Sequence, residues 1–244
     1  EDLSPADMSD PSRIPKPNAP LPTGEAKAVA VRSMFDAIAP RYDLVNRIMT
    51  FRLDVRWRKR TVRRLSLRDS STVLDLACGT GDLCRDLSNA GHHPIGMDLS
   101  WGMLAAARTD APLVNADALR LPAANGSIDG VTCGFALRNF ASLELFLAEL
   151  ARVLRPGGRI ALLEVDRPGN PVLRIGHGVY FGRVVPLVGG LLSNRDAYRY
   201  LPRSVAYLPP EDELLSAIEA AGFTKVAKDR CSGGIAQLLT ATRT

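Results

Sequence analysis

The first twenty-five residues, EDLSPADMSDPSRIPKPNAPLPTGE, mix proline with polar side chains and offer little to bury, so residues 1–25 read as a disordered leader. From Ala26 the apolar positions fall at helical spacing: Met34, Phe35 and Ile38, then Leu44, Val45, Ile48 and Met49, then Trp57 and Val62. That spacing predicts an N-terminal helical cap over residues 26–68. Beyond it, short apolar runs alternate with amphipathic ones. TVLDLA (72–77), HPIGMDLS (93–100), PLVNAD (112–117), IDGVTCGFA (128–136) and GRIALLEV (158–165) read as strands. GDLCRDLSNAG (81–91), WGMLAAAR (101–108) and LELFLAELARVLRPGG (143–158) read as the helices between them. Such alternation predicts the α/β class over residues 69–244, a doubly wound, mainly parallel sheet with helices on both faces. FTKVAKD and IAQLLTAT, separated by an SGG-containing turn, predict an antiparallel C-terminal edge.

Composition changes this picture little: 46% hydrophobic and 23% charged residues in a chain of 244 are ordinary for a globular protein. The start of the sequence has no basic-then-apolar secretory pattern, and nowhere do eighteen apolar residues run unbroken, so a reducing, cytoplasmic setting is expected. The four cysteines lack a CxxC pair and read as small buried hydrophobes; with three histidines in the chain, no metal centre is expected. Charge adds more. The net charge is +5, and Arg41, Arg47, Arg52, Arg56, Arg58, Lys59, Arg60, Arg63 and Arg64 crowd one region against Asp43 and Asp54. A solvated helix face, an anionic membrane surface and a nucleic acid all fit that cluster.

Candidate chemistry centres on VLDLACGTGDLCRDL (73–87). In a doubly wound sheet the ligand sits beyond the carboxyl ends of the strands, and the first strand-to-helix turn needs glycine where backbone approaches it closely. Gly79 and Gly81 stand there, and Asp98 closes the second strand, where a carboxylate can accept from both hydroxyls of a ribose. A dinucleotide fingerprint would have a third glycine at the position of Cys84. Asp75 and Asp82 beside the glycines would repel a pyrophosphate but suit an ammonium and a sulfonium, which favours S-adenosyl-L-methionine.

DLACGTGDL with Asp98 resembles the signature of class I S-adenosylmethionine-dependent methyltransferases, which have a Rossmann-like fold. YDLVNRIMTFRLDVRWRKR (42–60), GFALRNF (134–140), ELARVLRPGGRIALLEVDRP (149–168) and the stretch from Asn194 to Phe223 narrow the resemblance to the ubiquinone/menaquinone-biosynthesis C-methyltransferase family. Where that family usually shows a Ser-x-Gly-x-His-Arg run, this chain has Thr50, Arg52, Asp54 and Val55. The resemblance implies methylation of a ring carbon of a polyprenylated quinol, with demethylmenaquinol as the first choice. A small phenolic or polyketide-type acceptor is the alternative. It further implies that Gly79, Thr80 and Gly81 lie along the methionine part of the cofactor, that Asp98 holds the ribose, that Asp117 with Ala118 faces the adenine, and that Gly134 touches the cofactor. Asp117 also fits a turn or cap role.

Methylating a ring carbon requires its neighbouring hydroxyl to be deprotonated or nearly so, hence a proton acceptor and a positive group. Arg138 and Asn139 follow the fourth strand and are the first candidates: Arg138 to stabilise the developing oxyanion, Asn139 to orient the ring. An ion pair between Arg138 and Glu164 is the competing reading. Tyr42 and Asp43 come next, one to bind the ring oxygen and the other to accept a proton. No metal is required, because a sulfonium leaving group needs no Lewis acid. The apolar stretch PVLRIGHGVYFGRVVPLVGGLL lies within a segment, 171–200, that reads either as a core helix or as a hydrophobic cover over the quinol site touching the inner face of an anionic membrane. A homodimer is left open. A nucleic-acid partner is not expected, since aromatic residues make up 6% of the chain and no Asn-Pro-Pro-Tyr-like base-methylating motif occurs.

Overall fold

Seven strands form one sheet in the computed structural model, which describes residues 21–166, 168–184, 187 and 203–244. β1 (Thr72–Leu76), β2 (His93–Asp98), β3 (Leu113–Asn115), β4 (Ile128–Gly134) and β5 (Leu154–Val165) run parallel in the order β3-β2-β1-β4-β5. Because β1 pairs with β2 on one side and β4 on the other, chain order reverses there, and a crevice opens beyond the carboxyl ends of those strands. β6 (Phe223–Cys231) and β7 (Ala236–Arg243) supply the antiparallel edge, but the last strand lies inside it, between β5 and β6. Burial explains the order: β7 is buried from Ala236 to Ala241, whereas β6 exposes the polar residues that an edge tolerates.

The cap comprises α1 (Gly24–Ile38), a 3-10 turn (Ala39–Arg41), α2 (Tyr42–Met49) and α3 (Leu53–Leu65). Among the described residues the further α-helices include α4 (Asp82–Asn89), α5 (Trp101–Ala105), α6 (Leu143–Val153), α7 (Pro171–Val179) and α8 (Glu211–Ala220). α6 starts where the Ser142 hydroxyl accepts from Leu145 N, and it buries Phe146, Leu147, Leu150 and Val153 on one stripe. It stops at Val153, short of the predicted Gly158, because Pro156 disfavours helical backbone at Arg155, and Leu154 already turns extended. α5 likewise ends at Ala105, short of Arg108. The backbone N–H of Arg108 donates to Thr80 O at 3.0 Å, which draws the chain towards the glycine turn.

Alternate residues of the strands feed two cores on opposite faces of the sheet. Leu74, Leu76 and Leu162 pack with Phe146, Leu150 and Leu214, while Val73, Ala161 and Leu163 pack with Trp57, Leu65, Leu83 and Leu87. A third cluster, Met34, Ile38, Val45 and Met103, joins the cap to α5. Leu21 packs against it and Pro22 O accepts from the Tyr207 hydroxyl, so structure begins within the stretch read as leader; residues 1–20 lie outside the described residues. Of the segment 171–200, α7 and the π-turn Tyr180–Val184 are described, while residues 185, 186 and 188–200 lie outside. Among the described residues no helix is long and apolar enough to cross a membrane.

Candidate active site

The turn after β1 carries two left-handed glycines, Gly79 at φ +56° and Gly81 at φ +82°. A Cβ on Gly81 would lie 2.6 Å from Thr109 Cγ2, so close packing as well as φ demands glycine there. At Gly79 nothing lies within 4 Å of where a Cβ would be. The open space beside it belongs to two adjoining cavities, one larger than the other, that share Tyr42, Ala77, Gly79, Gly134 and Phe135 as walls. Ala77 and Phe135, neither a glycine, also adopt left-handed backbone at the ends of β1 and β4, a strain of roughly 1–3 kcal/mol each that sits at the cavity junction.

The larger cavity runs past Asp98, Asp117 and Ala118 and is roofed by Val31 and Phe35 of α1. Asp98 Oδ2 accepts from Gly79 N and Oδ1 from Ser100 N, both at 2.8 Å, which fixes the carboxylate at the cavity wall; burial pushes its pKa up. Asp117 Oδ1 accepts from Leu119 N at 2.9 Å in a turn, the arrangement of the turn reading, and the residue also lines the cavity. Hydrogen bonds fasten the roof. Asp36 Oδ1 accepts from the Ser100 hydroxyl at 2.5 Å and from Gly102 N at 2.9 Å, and Lys27 Nζ donates to Phe140 O at 2.7 Å while lying 3.6 Å from the centre of the Tyr207 ring.

The smaller cavity is lined by Asp75, Thr80, Asp82, Asn46 and Arg58. Asp75 is fully buried; Oδ1 accepts from the Thr132 hydroxyl at 2.8 Å, Oδ2 from the Cys84 thiol at 3.4 Å, and burial lifts its pKa to about 7. Cys84, at the place of the absent third glycine, is therefore a hydrogen-bond donor and not only a small hydrophobe. Cys133 and Cys231 are buried as expected, whereas Cys78 is part-exposed and lines the smaller cavity.

Of the four candidate catalytic side chains, Tyr42 and Asn139 reach the cavity walls. Burial raises the Tyr42 pKa to about 12, with the charge of Arg138 acting in the opposite sense. Asp43 Oδ1 accepts from the Thr80 hydroxyl at 2.5 Å. Arg138 is buried and bound to protein: it pairs with Glu164, and it donates to Ser204 Oγ at 3.0 Å and Phe135 O at 2.8 Å. The ion-pair reading of Arg138 is thus the arrangement seen.

Arg58 escaped the sequence reading, which placed it in a surface cluster. It is buried among Asp54, Asp82 and Asp86 at the mouth of the smaller cavity, and the charges of Asp82 and Asp54 raise its pKa against the opposing effect of burial. The i,i+4 spacing of Asp54 with Arg58 and of Asp82 with Asp86 was the available signal. Asp36, Lys27 and Thr132 gave none, because their partners are distant in sequence.

A doubly wound sheet, a glycine turn at its switch point and an acidic residue ending β2 define a class I S-adenosylmethionine-dependent methyltransferase. The same fold occurs in a solved methyltransferase from Thermotoga maritima, described as a possible histamine N-methyltransferase, with a TM-score of 0.63 at 17% identity, covering 87% of this chain and 99% of that one. Residues 23–243 match the model of the ubiE/COQ5 methyltransferase family, and the chain belongs to that family. It is 45% identical over 201 residues to a demethylmenaquinone methyltransferase of Thermus thermophilus, covering 78% of this chain and 91% of the relative. It is 41% identical over 223 residues to the ubiquinone/menaquinone biosynthesis C-methyltransferase UbiE of Syntrophotalea carbinolica, covering 87% and 93%. The protein is accordingly an S-adenosylmethionine-dependent methyltransferase.

Proposed function

We propose that this enzyme methylates a ring carbon of a prenylated quinol, demethylmenaquinol foremost, in respiratory quinone biosynthesis. The observation that carries the reading is the junction of the two cavities at Tyr42, Gly79 and Gly134, with acidic groups on both sides of it. The names of the relatives support the acceptor.

The residues fit S-adenosylmethionine: Asp98 and Asp117 with Ala118 line space for the nucleoside, Gly79, Thr80 and Gly81 form the turn beside the methionine part, Gly134 walls the junction, and Asp75 offers a counter-charge to a cationic ligand. Bound there, it supplies a methyl group on a sulfonium. The chain's own work is to ready the ring. The Tyr42 hydroxyl, protonated throughout the physiological range, donates to the quinol oxygen as negative charge develops on it. Asp43, with Oδ1 held by Thr80 and set behind the cavity walls, takes the hydroxyl proton on Oδ2 through an intervening water, and Asn139 orients the ring. Arg138 acts behind Tyr42 as a positioning residue and a fixed positive charge. The prenyl tail runs along the segment 171–200, and the acceptor comes from the inner face of an anionic membrane.

The test is incubation with methyl-labelled S-adenosylmethionine and, in parallel, reduced demethylmenaquinone with a short tail, a ubiquinone-type precursor and an untailed naphthoquinol. Ring-carbon label on the tailed naphthoquinol establishes the reading. Label confined to the untailed compound overturns it in favour of a small phenolic acceptor.

A further inference from the structure

Two segments more than a hundred residues apart share one exposed apolar face. Leu44, Ile48 and Phe51 recur along the outer side of α2 and the turn after it, and Phe51 is 73% exposed. Ile175 and Val179 lie one helical turn apart on α7, Ile175 being 70% exposed. Tyr180 joins the two: its hydroxyl donates to Met49 O at 2.7 Å, and its ring centre lies 5.8 Å from that of Phe51. Exposed cations stand on the same two segments: Arg174 and Arg183 flank Ile175 and Val179 in the chain, and Arg52, which follows Phe51, begins a stripe that Arg56 and Lys59 continue along α3. The two carboxylates of residues 41–60 point away from it, Asp43 to Thr80 and Asp54 to Thr50 and Arg58.

Resting on the proposed acceptor, we propose that this face is the protein's docking surface for an anionic lipid bilayer. Apolar side chains that are exposed together, on segments that also expose cations, match the boundary between acyl chains and acidic headgroups, where long basic side chains keep their charge at the headgroup level. A second copy of the chain fits less well, because a two-fold contact would set these cations against themselves. The backbone points the same way. Phe51 and Arg52 both adopt left-handed conformation, at φ 51° and 61°, and this turn is what projects the Phe51 ring and the Arg52 side chain outward. α2 then has two roles: Tyr42 and Asn46 on its inner side line the smaller cavity, and Leu44 and Ile48 on its outer side meet the bilayer.

Flotation of the full chain with phosphatidylglycerol/phosphatidylcholine vesicles and with pure phosphatidylcholine vesicles, without acceptor, tests the proposal. Binding is expected to the anionic vesicles and to weaken with salt. The double variant Ile48→Ser/Phe51→Ser should bind at least tenfold more weakly. Arg52→Gly should lose about fivefold, the effect of one cation near such a surface, while its thermal midpoint rises, since glycine takes a left-handed φ freely. Equal binding to neutral vesicles, or unaltered binding of the double variant, overturns the proposal. So does a dimer that the double variant converts to monomer without loss of vesicle binding, which would assign the face to a second copy. Turnover of a detergent-dispersed, short-tailed acceptor separates this from the catalytic reading. If the variants lose vesicles but keep turnover, the surface stands; if the wild type turns over no tailed quinol, the acceptor assignment falls, and the vesicle results still judge the surface.

Discussion

Asp43 accepts a hydrogen bond from the hydroxyl of Thr80 at 2.5 Å, so the helical cap is fastened by a carboxylate to the glycine turn, at the residue through which that turn lines the smaller cavity. A bond of this kind contributes about 1.5–3 kcal/mol, and here it also fixes Tyr42, the neighbour of Asp43, over the site. Thr80→Val should therefore raise the KM for S-adenosylmethionine roughly tenfold or more. Thr80→Ser, which keeps the hydroxyl, should recover most of it. Steady-state kinetics with the cofactor varied decides this, and equal loss in both variants would mean that methyl packing matters more than the bond.

Asp75 makes cofactor binding dependent on pH. Its pKa of about 7, against an ordinary 3.8, means the folded chain holds a proton that the unfolded chain releases. The sign follows: stability falls as pH rises from about 4 to 7, by up to roughly 4 kcal/mol, and is flat above. A cationic ligand favours the carboxylate, so binding below pH 7 should expel a proton and tighten as pH rises. Asp75→Asn should remove both effects. Denaturant unfolding at pH 5 and pH 8, and calorimetric titration in buffers of different ionisation enthalpy, would show wild type and variant alike if the assignment is wrong.

The succession of strands and helices along the chain and the glycine turn were legible because each is a local pattern. Val73, Leu74 and Leu76 form a short apolar run that meets a Gly-Thr-Gly turn, and Asp98 ends the next such run. What was not legible depends on partners chosen in three dimensions. Asp36 reaches Ser100, Lys27 reaches Phe140, and Arg58 turns inward to carboxylates on another helix, whereas the sequence displays only their charges. The end of α6 was misread because Leu154 continues its apolar spacing, while the constraint from Pro156 acts backwards on the residue before it. The inner place of β7 was missed because a turn fixes pairing between neighbours but not which of them faces the rest of the sheet.

Tyr42 should behave as a donor and not as a base. With its pKa pushed up to about 12, the hydroxyl keeps its proton at any pH the fold experiences in a cell. Tyr42→Phe should lower kcat about a hundredfold, the effect of losing one donor to a developing oxyanion, with the KM for S-adenosylmethionine little changed. The pH-rate profile should keep its shape. A vanished limb in that profile would identify Tyr42 as the titrating base and overturn the donor role.

Arg138 and Glu164 carry opposite charges into the core beside the cavity, where neither charge can be left alone. Glu164→Gln leaves the guanidinium without its counter-ion and should cost about 3–5 kcal/mol in denaturant unfolding. Replacing both, as Arg138→Met/Glu164→Leu, removes the unpaired charge and should regain much of that loss, since an apolar pair of similar volume often matches a buried ion pair. Activity separates the two roles. If Arg138 serves only to neutralise Glu164 in the core, the double variant regains kcat along with stability. If its charge also serves the quinol oxygen through Tyr42, stability returns while kcat stays depressed, and that split is the outcome expected from the opposing effect of Arg138 on the Tyr42 hydroxyl.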